Sequence, residues 1–157
     1  MLETALTALE ASAPAAYLRT SQYAYPLVNA AHILALATLF GSILALDLRL
    51  LGLFRPVPLQ PLARVLPRVS AFGLALAIAT GLALFSVQPF DYLAHPVFPV
   101  KLALIALGAA NALLIHRTAG WRETMASGAA PARVRAAAAL SLVAWSGAIL
   151  AGRWLAF

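Results

Sequence analysis

Four long apolar runs, separated by stretches rich in proline, arginine and aromatic residues, organise this chain. A helix needs about 20 apolar residues to cross a hydrocarbon core about 30 Å thick. The first run, over 26–46 (PLVNAAHILALATLFGSILAL), meets that length and ends at Asp47 and Arg49, which read as an ion pair at the membrane rim. The next stretch, LGLFRPVPLQPLARVLPR, reads as a loop or short interfacial piece, because proline removes backbone donors and clustered cations need water. A second run follows, in which Gly73, Ala77 and Gly81 recur every fourth residue, a spacing that lets helices approach closely in lipid. The connection QPFDYLAHPVFP is short and aromatic; the third run closes at His116 and Arg117, and Pro131 stands near the start of the fourth, where proline is tolerated. The pattern predicts spans over about 26–48, 69–87, 98–116 and 136–155. The expected fold is all-α, a single integral membrane four-helix bundle over 1–157. Residues 1–24 are expected to form an amphipathic segment of one or two short helices lying on the membrane surface. Glu3 and Glu10 stand where a signal peptide carries basic residues, so this start reads as retained.

Composition agrees with a lipid solvent: 63% of the 157 residues are hydrophobic and 10% are charged, and mean hydropathy is +0.89. Four spans with short loops use nearly all of the length, which leaves no room for a separate soluble catalytic domain. The net charge of +6 is not arranged as a basic face interleaved with aromatics, which excludes nucleic acid as the partner. The chain has no cysteine, and its only methionines are Met1 and Met125, so soft thiolate or thioether copper sites within the membrane are excluded.

Arginine sets the expected orientation. Arg49, Arg55, Arg64 and Arg68 precede the second span, and Arg117, Arg122, Arg133 and Arg135 lie between the third and fourth, whereas the loop carrying Asp91 has none. By the positive-inside rule these two loops face the cytoplasm and both termini face outward across a bacterial inner membrane. Tyr17, Tyr23, Tyr25, Phe90, Tyr92, Phe98, Trp154 and Phe157 would then form the outer aromatic belt, and Phe54 and Trp121 the inner boundary.

Ionisable side chains within spans are expensive and mark functional sites. At 1.5 Å per residue, His32 lies roughly 9 Å below the outer end of its helix, and Lys101 about 5 Å below the start of the third. Arg153 returns to the same level on the fourth helix, and His95 sits just above in the loop. These four form an expected outer cluster. His116 falls roughly 27 Å down the third helix, too deep to share one iron with His32. Asn111 and Trp145 read as interhelical contacts. A neutral imidazole in a dry bundle suits haem iron, and two rim cations suit haem propionates. The expected cofactor-binding residues are therefore His32, Lys101, Arg153 and His95, with His32 and His95 as metal ligands, while His116 stands apart as a cofactor-binding candidate for a second site.

The stretches YPLVNAAHILALATLFGSILALDLRLLG, HPVFPVKLALIALGAANALLIH and LVAWSGAILAGRWLAF together resemble an uncharacterised bacterial four-helix membrane family grouped with the copper-resistance-D-like proteins. More distantly, His32, Lys101 and His116 match a pattern in the four-helix membrane protoporphyrinogen oxidase family. That resemblance implies haem binding through His32 and Lys101. The expected function is a b-type haem membrane protein that transfers electrons or oxidises a membrane-soluble substrate, with a quinone or another redox protein as partner and a homo-oligomer as an option. Its alternatives are a porphyrinogen oxidase-like enzyme and a non-catalytic accessory or scaffold subunit.

Overall fold

Proline and glycine punctuate the chain into eight helices in a computed structural model that describes residues 1–155, apart from the Leu2 side chain. They are α1 (Leu2–Glu10), α2 (Ala13–Thr20), α3 (Ala24–Leu50), α4 (Leu59–Phe85), α5 (Pro89–Ala94), α6 (Val97–His116), α7 (Ala119–Ser127) and α8 (Ala132–Trp154). No strand is found among the described residues. Helices α3, α4, α6 and α8 are long and apolar enough to cross a membrane, and the chain is a multi-pass helical membrane protein. Phe157 of the expected aromatic belt lies outside the described residues.

Helix α4 begins well before the expected Val69 and absorbs most of the stretch read as a loop. Pro61 sits in its first turn, where no intrahelical donor is needed. Pro67 lies inside the helix, and the Ser70 hydroxyl donates to its carbonyl at 3.0 Å. Upstream, α3 stops at Gly52, whose φ of +101° is the left-handed conformation that ends helices. Helix α7 was not anticipated, although its signals are present. The Thr118 hydroxyl accepts from the Trp121 N–H, and Gly128 closes the last turn at φ +73°.

The four spans run up and down and pack in the order α4, α3, α8, α6, with α4 and α6 flanking the central pair. Only 6% of the apolar window of α6 and 17% of that of α4 is buried, against 33% for α3 and 39% for α8. The outer faces of α4 and α6 therefore present their leucines and valines to lipid, where apolar side chains carry no penalty. Contact between helices rests on small residues. A Cβ on Gly73 would stand 2.6 Å from the Leu39 backbone nitrogen, so α3 and α4 touch backbone to backbone there.

The two ends of the bundle differ. At one end Leu46, Leu50, Leu59, Ala63, Trp121, Val134 and Ala138 form an apolar cluster. The arginine-bearing connections α3–α4 and α6–α8 gather around it. At the other, terminal end, α1, α2 and α5 cover the helix ends. Arg19 donates to the Val87 carbonyl at 3.1 Å and to the Glu10 carbonyl at 2.6 Å, tying α1 and α2 to the end of α4. Phe85, Tyr92 and Phe98 pack ring against ring beside them.

Candidate functional site

The residues expected to form an outer cluster are brought only partly together. His32 points from α3 to α4, where its Nδ1 lies 2.8 Å from the Thr80 hydroxyl. That hydroxyl already donates to the Leu76 carbonyl at 2.7 Å, so it accepts from Nδ1–H, and the imidazole lone pair resides on Nε2. Gly81 makes room for the ring: a Cβ there would be 3.3 Å from Cε1. Lys101 reaches toward α8, its Nζ lying 3.6 Å from where a Cβ on Gly152 would be, and its charge is near enough to be felt at His32. The Arg153 side chain is exposed at the end of α8. His95 takes a local part, its Nδ1 accepting from the Val97 N–H at 3.2 Å at the start of α6. Among the described residues, no group of three or more His, Cys, Asp or Glu side chains could hold a metal ion.

A different set of residues converges in the arginine-loop half of the bundle. There the spans line a partly open cavity of about 400 Å³, with wall residues from α3, α4, α6 and α8. Its size lies within the range of small-molecule sites, and its wall is mostly apolar with a few polar groups, as in such sites. Three of those polar groups hold buried atoms without a hydrogen-bond partner: Asp47 Oδ2, His116 Nε2 and Trp145 Nε1.

Local structure places each one. Asp47 turns into the bundle, where the Ser141 hydroxyl of α8 hydrogen-bonds its carboxyl group. It does not form the expected rim ion pair with Arg49. Residues two apart on a helix point to different faces, and Arg49 instead donates to the carbonyls of Val57 and Arg55 at 2.7 and 3.3 Å. The His116 Nδ1 lies 2.6 Å from the Ala112 carbonyl. A carbonyl can only accept, so Nδ1 carries the proton and Nε2 keeps its lone pair. Trp121 packs on the His116 ring at a centroid distance of 4.2 Å and fixes its orientation. Trp145 lies against α6 at Gly108. Between these levels Asn111 donates to the Ala137 carbonyl at 2.9 Å and joins α6 to α8, as expected of an interhelical contact.

Helix geometry orders the polar groups. Ser141 is one turn, about 6 Å, from Trp145 along α8, and the step from Gly108 to His116 spans about 12 Å of α6. The cavity is therefore elongated, running from Trp145 in mid-bundle past Asp47 to His116. Arg117 both lines it and is exposed, so it reaches the surface beside the end of α6. It offers one buried donor and two groups that accept. The sequence held the signals for it in an aspartate and a histidine within apolar runs, but their shared location depends on helix rotation.

No protein-family model, curated protein or solved structure matches this chain. The fold and cavity define it as a helical membrane bundle with a largely apolar pocket that carries a few buried polar groups inside the span region.

Proposed function

We propose that the protein binds a lipid-soluble ring bearing hydrogen-bonding oxygens, of the quinone or quinol class, in the cavity between α4 and α6, and that it does so in a bacterial inner membrane. The observation that carries this reading is the trio of unpartnered buried atoms on one cavity wall. Each such atom costs about 1–3 kcal/mol when left unsatisfied. A ring of this class answers all three: the Trp145 indole N–H donates to a ring oxygen, while His116 Nε2 and the Asp47 carboxyl oxygen accept from ring hydroxyls. Leu39, Leu46, Leu74 and Ala112 supply the apolar walls, and a lipid-borne molecule gains access between the two flanking helices. The gathering of eight arginines around the α3–α4 and α6–α8 connections supports a cytoplasmic position for that end and an outward position for both termini.

The test is a titration of a short-chain benzoquinol, kept reduced, against protein in lipid nanodiscs, read by tryptophan fluorescence. Saturable quenching is expected, with the dissociation constant raised about 2- to 10-fold by His116→Gln or Asp47→Asn, the effect of one lost hydrogen bond. Non-saturable quenching, identical in wild type and both variants, would mean that the quinol merely partitions into lipid.

A b-type haem is the second reading, favoured by the tautomers of His32 and His116. Both imidazoles have Nδ1–H held by an oxygen and the lone pair on Nε2, the form in which histidine serves as an oriented axial ligand. His116 also stands on the cavity wall, whereas His32 is not among its lining residues; in donor type and adjacent space, His116 suits the group better. A bound haem supplies one-electron chemistry, and the chain would contribute the ligand nitrogen and an apolar wall. Absorption spectra of purified protein, oxidised and reduced, decide the matter. A Soret band lost in His116→Ala but kept in His32→Ala supports the cavity, the converse supports the terminal-end site, and no Soret band removes the haem reading.

A further inference from the structure

We propose that the cavity is a water-filled half-channel that connects Asp47 with the arginine-loop side of the membrane and with that side alone. The half-channel concerns the same cavity as the quinol reading and rests on its shape and on the placement of its few polar groups, not on any ligand.

Water in a protein interior needs both room and polar partners. At about 30 Å³ per molecule the cavity holds about a dozen waters. The polar partners lie at successive turns rather than in one spot. Starting from the surface they are Arg117, His116, Asn111, the Asp47–Ser141 pair with Ser42 and Ser70, and finally the Trp145 indole N–H. When no ring is bound, waters along this path satisfy the free atoms of Asp47, His116 and Trp145, which otherwise carry the full desolvation penalty. Exposed Arg117 on the wall marks the aqueous mouth, exposed Ala71 and Leu113 open the wall to lipid between α4 and α6, and toward the terminal end the lining stops at Leu39 on α3, Leu74 on α4, Ala109 on α6 and Trp145 on α8.

Beyond those residues the bundle is dry and shut. Ala35 and Ala144 are fully buried, and Ala77 and Ala148 nearly so. At the limit itself Gly73 brings α4 onto the α3 backbone, and beyond it a Cβ on Gly147 would be 3.1 Å from the Leu104 side chain across the α6–α8 contact. Packing this close leaves no path for water. Access to Asp47 is therefore one-sided, the arrangement by which a buried carboxyl group exchanges protons with a single compartment.

The absence of cysteine from the chain makes the test direct, because single cysteines can be introduced without background. Ser141→Cys, Ser70→Cys and Ser42→Cys probe the half-channel, and Ala35→Cys the sealed half. Arg55→Cys and Thr20→Cys, both at exposed positions, report the two faces. Full-length protein in sealed vesicles is treated with small, membrane-impermeant methanethiosulfonates, one cationic and one anionic, so that the Arg117 and Asp47 charges cannot mask access. The expected result is modification of the three serine-site variants only from the face that labels Arg55→Cys, with Ala35→Cys unmodified from either. Modification of the serine sites from both faces, from the Thr20→Cys face, or by a lipid-permeant maleimide alone would overturn the proposal. If Ser141→Cys fails to fold, Ser70→Cys and Ser42→Cys carry the same readout. Quinol titration shares none of these outcomes, so failure of one reading leaves the other standing.

Discussion

The indole of Trp145 occupies the space that a side chain on Gly108 would need. A Cβ there would lie 2.7 Å from Cε2 and 2.9 Å from Nε1. The α6–α8 contact thus depends on glycine, and the same glycine holds the indole at the inner limit of the cavity. Gly108→Ala is expected to lower stability by about 1–3 kcal/mol, the usual cost of overpacking. Gly41→Ala, on α3 with nothing within 4 Å of its Cβ, is expected to be neutral or to gain about 0.5–1 kcal/mol from helix propensity. Thermal unfolding of both variants in detergent, compared with wild type, measures the contrast.

Arg19 makes a different kind of connection, because its guanidinium joins the carbonyls of Glu10 and Val87 at the terminal surface. Removing it should release α1 and α2 without disturbing the spans, whose packing lies elsewhere. Arg19→Ala is expected to make the chain before Ala24 much more sensitive to limited proteolysis, while the unfolding temperature of the bundle stays near that of wild type. Cleavage at the wild-type rate would show that α1 and α2 are held by other contacts.

Much of this architecture could be read from the sequence because lipid imposes simple rules. Four runs of sufficient length joined by short connections were enough to give the number of the spans and their up-and-down order. The start of α4 could not be read the same way, since Pro61, Arg64, Pro67 and Arg68 resemble a loop until a first-turn proline and a cavity-facing proline are recognised as tolerable. The site was harder still. Axial depth is a matter of counting, and it correctly separated His116 from His32. Rotation about each helix axis determines whether Asp47 meets Arg49 or Ser141, and in helices apolar all round the hydrophobic pattern carries little information about rotation.

Tyr92 supplies a pH-dependent test outside the spans. Burial, and then the neighbouring Tyr25, push its hydroxyl above the ordinary tyrosine value, and its ring packs with Phe85 and Phe98. A folded-state pKa above the unfolded one stabilises the fold fully below about pH 10 and loses that contribution as pH rises through the folded value. Alkaline titration followed by tyrosinate absorbance should therefore show a step later than an ordinary tyrosine gives. Tyr92→Phe should remove that late step together with the matching loss of stability.

The pair formed by Asp47 and Ser141 separates what stabilises the bundle from what the cavity is for. Ser141→Ala removes a hydroxyl that bonds the carboxyl group, in a wall where Oδ2 already lacks a protein partner. A cost of about 1–3 kcal/mol is expected, since a buried polar group then loses its donor while keeping its desolvation penalty. Asp47→Leu removes that penalty altogether, and replacing a buried polar group with an apolar one of similar volume is often neutral or stabilising. The leucine variant should thus unfold at or above the wild-type temperature while binding quinol more weakly. A carboxyl group retained against its own stability cost is what a working site in a membrane bundle requires. If Asp47→Leu instead destabilises the protein as strongly as Ser141→Ala, with quinol binding unchanged, the carboxyl group is a structural tie between α3 and α8, and the site must be sought elsewhere along the cavity.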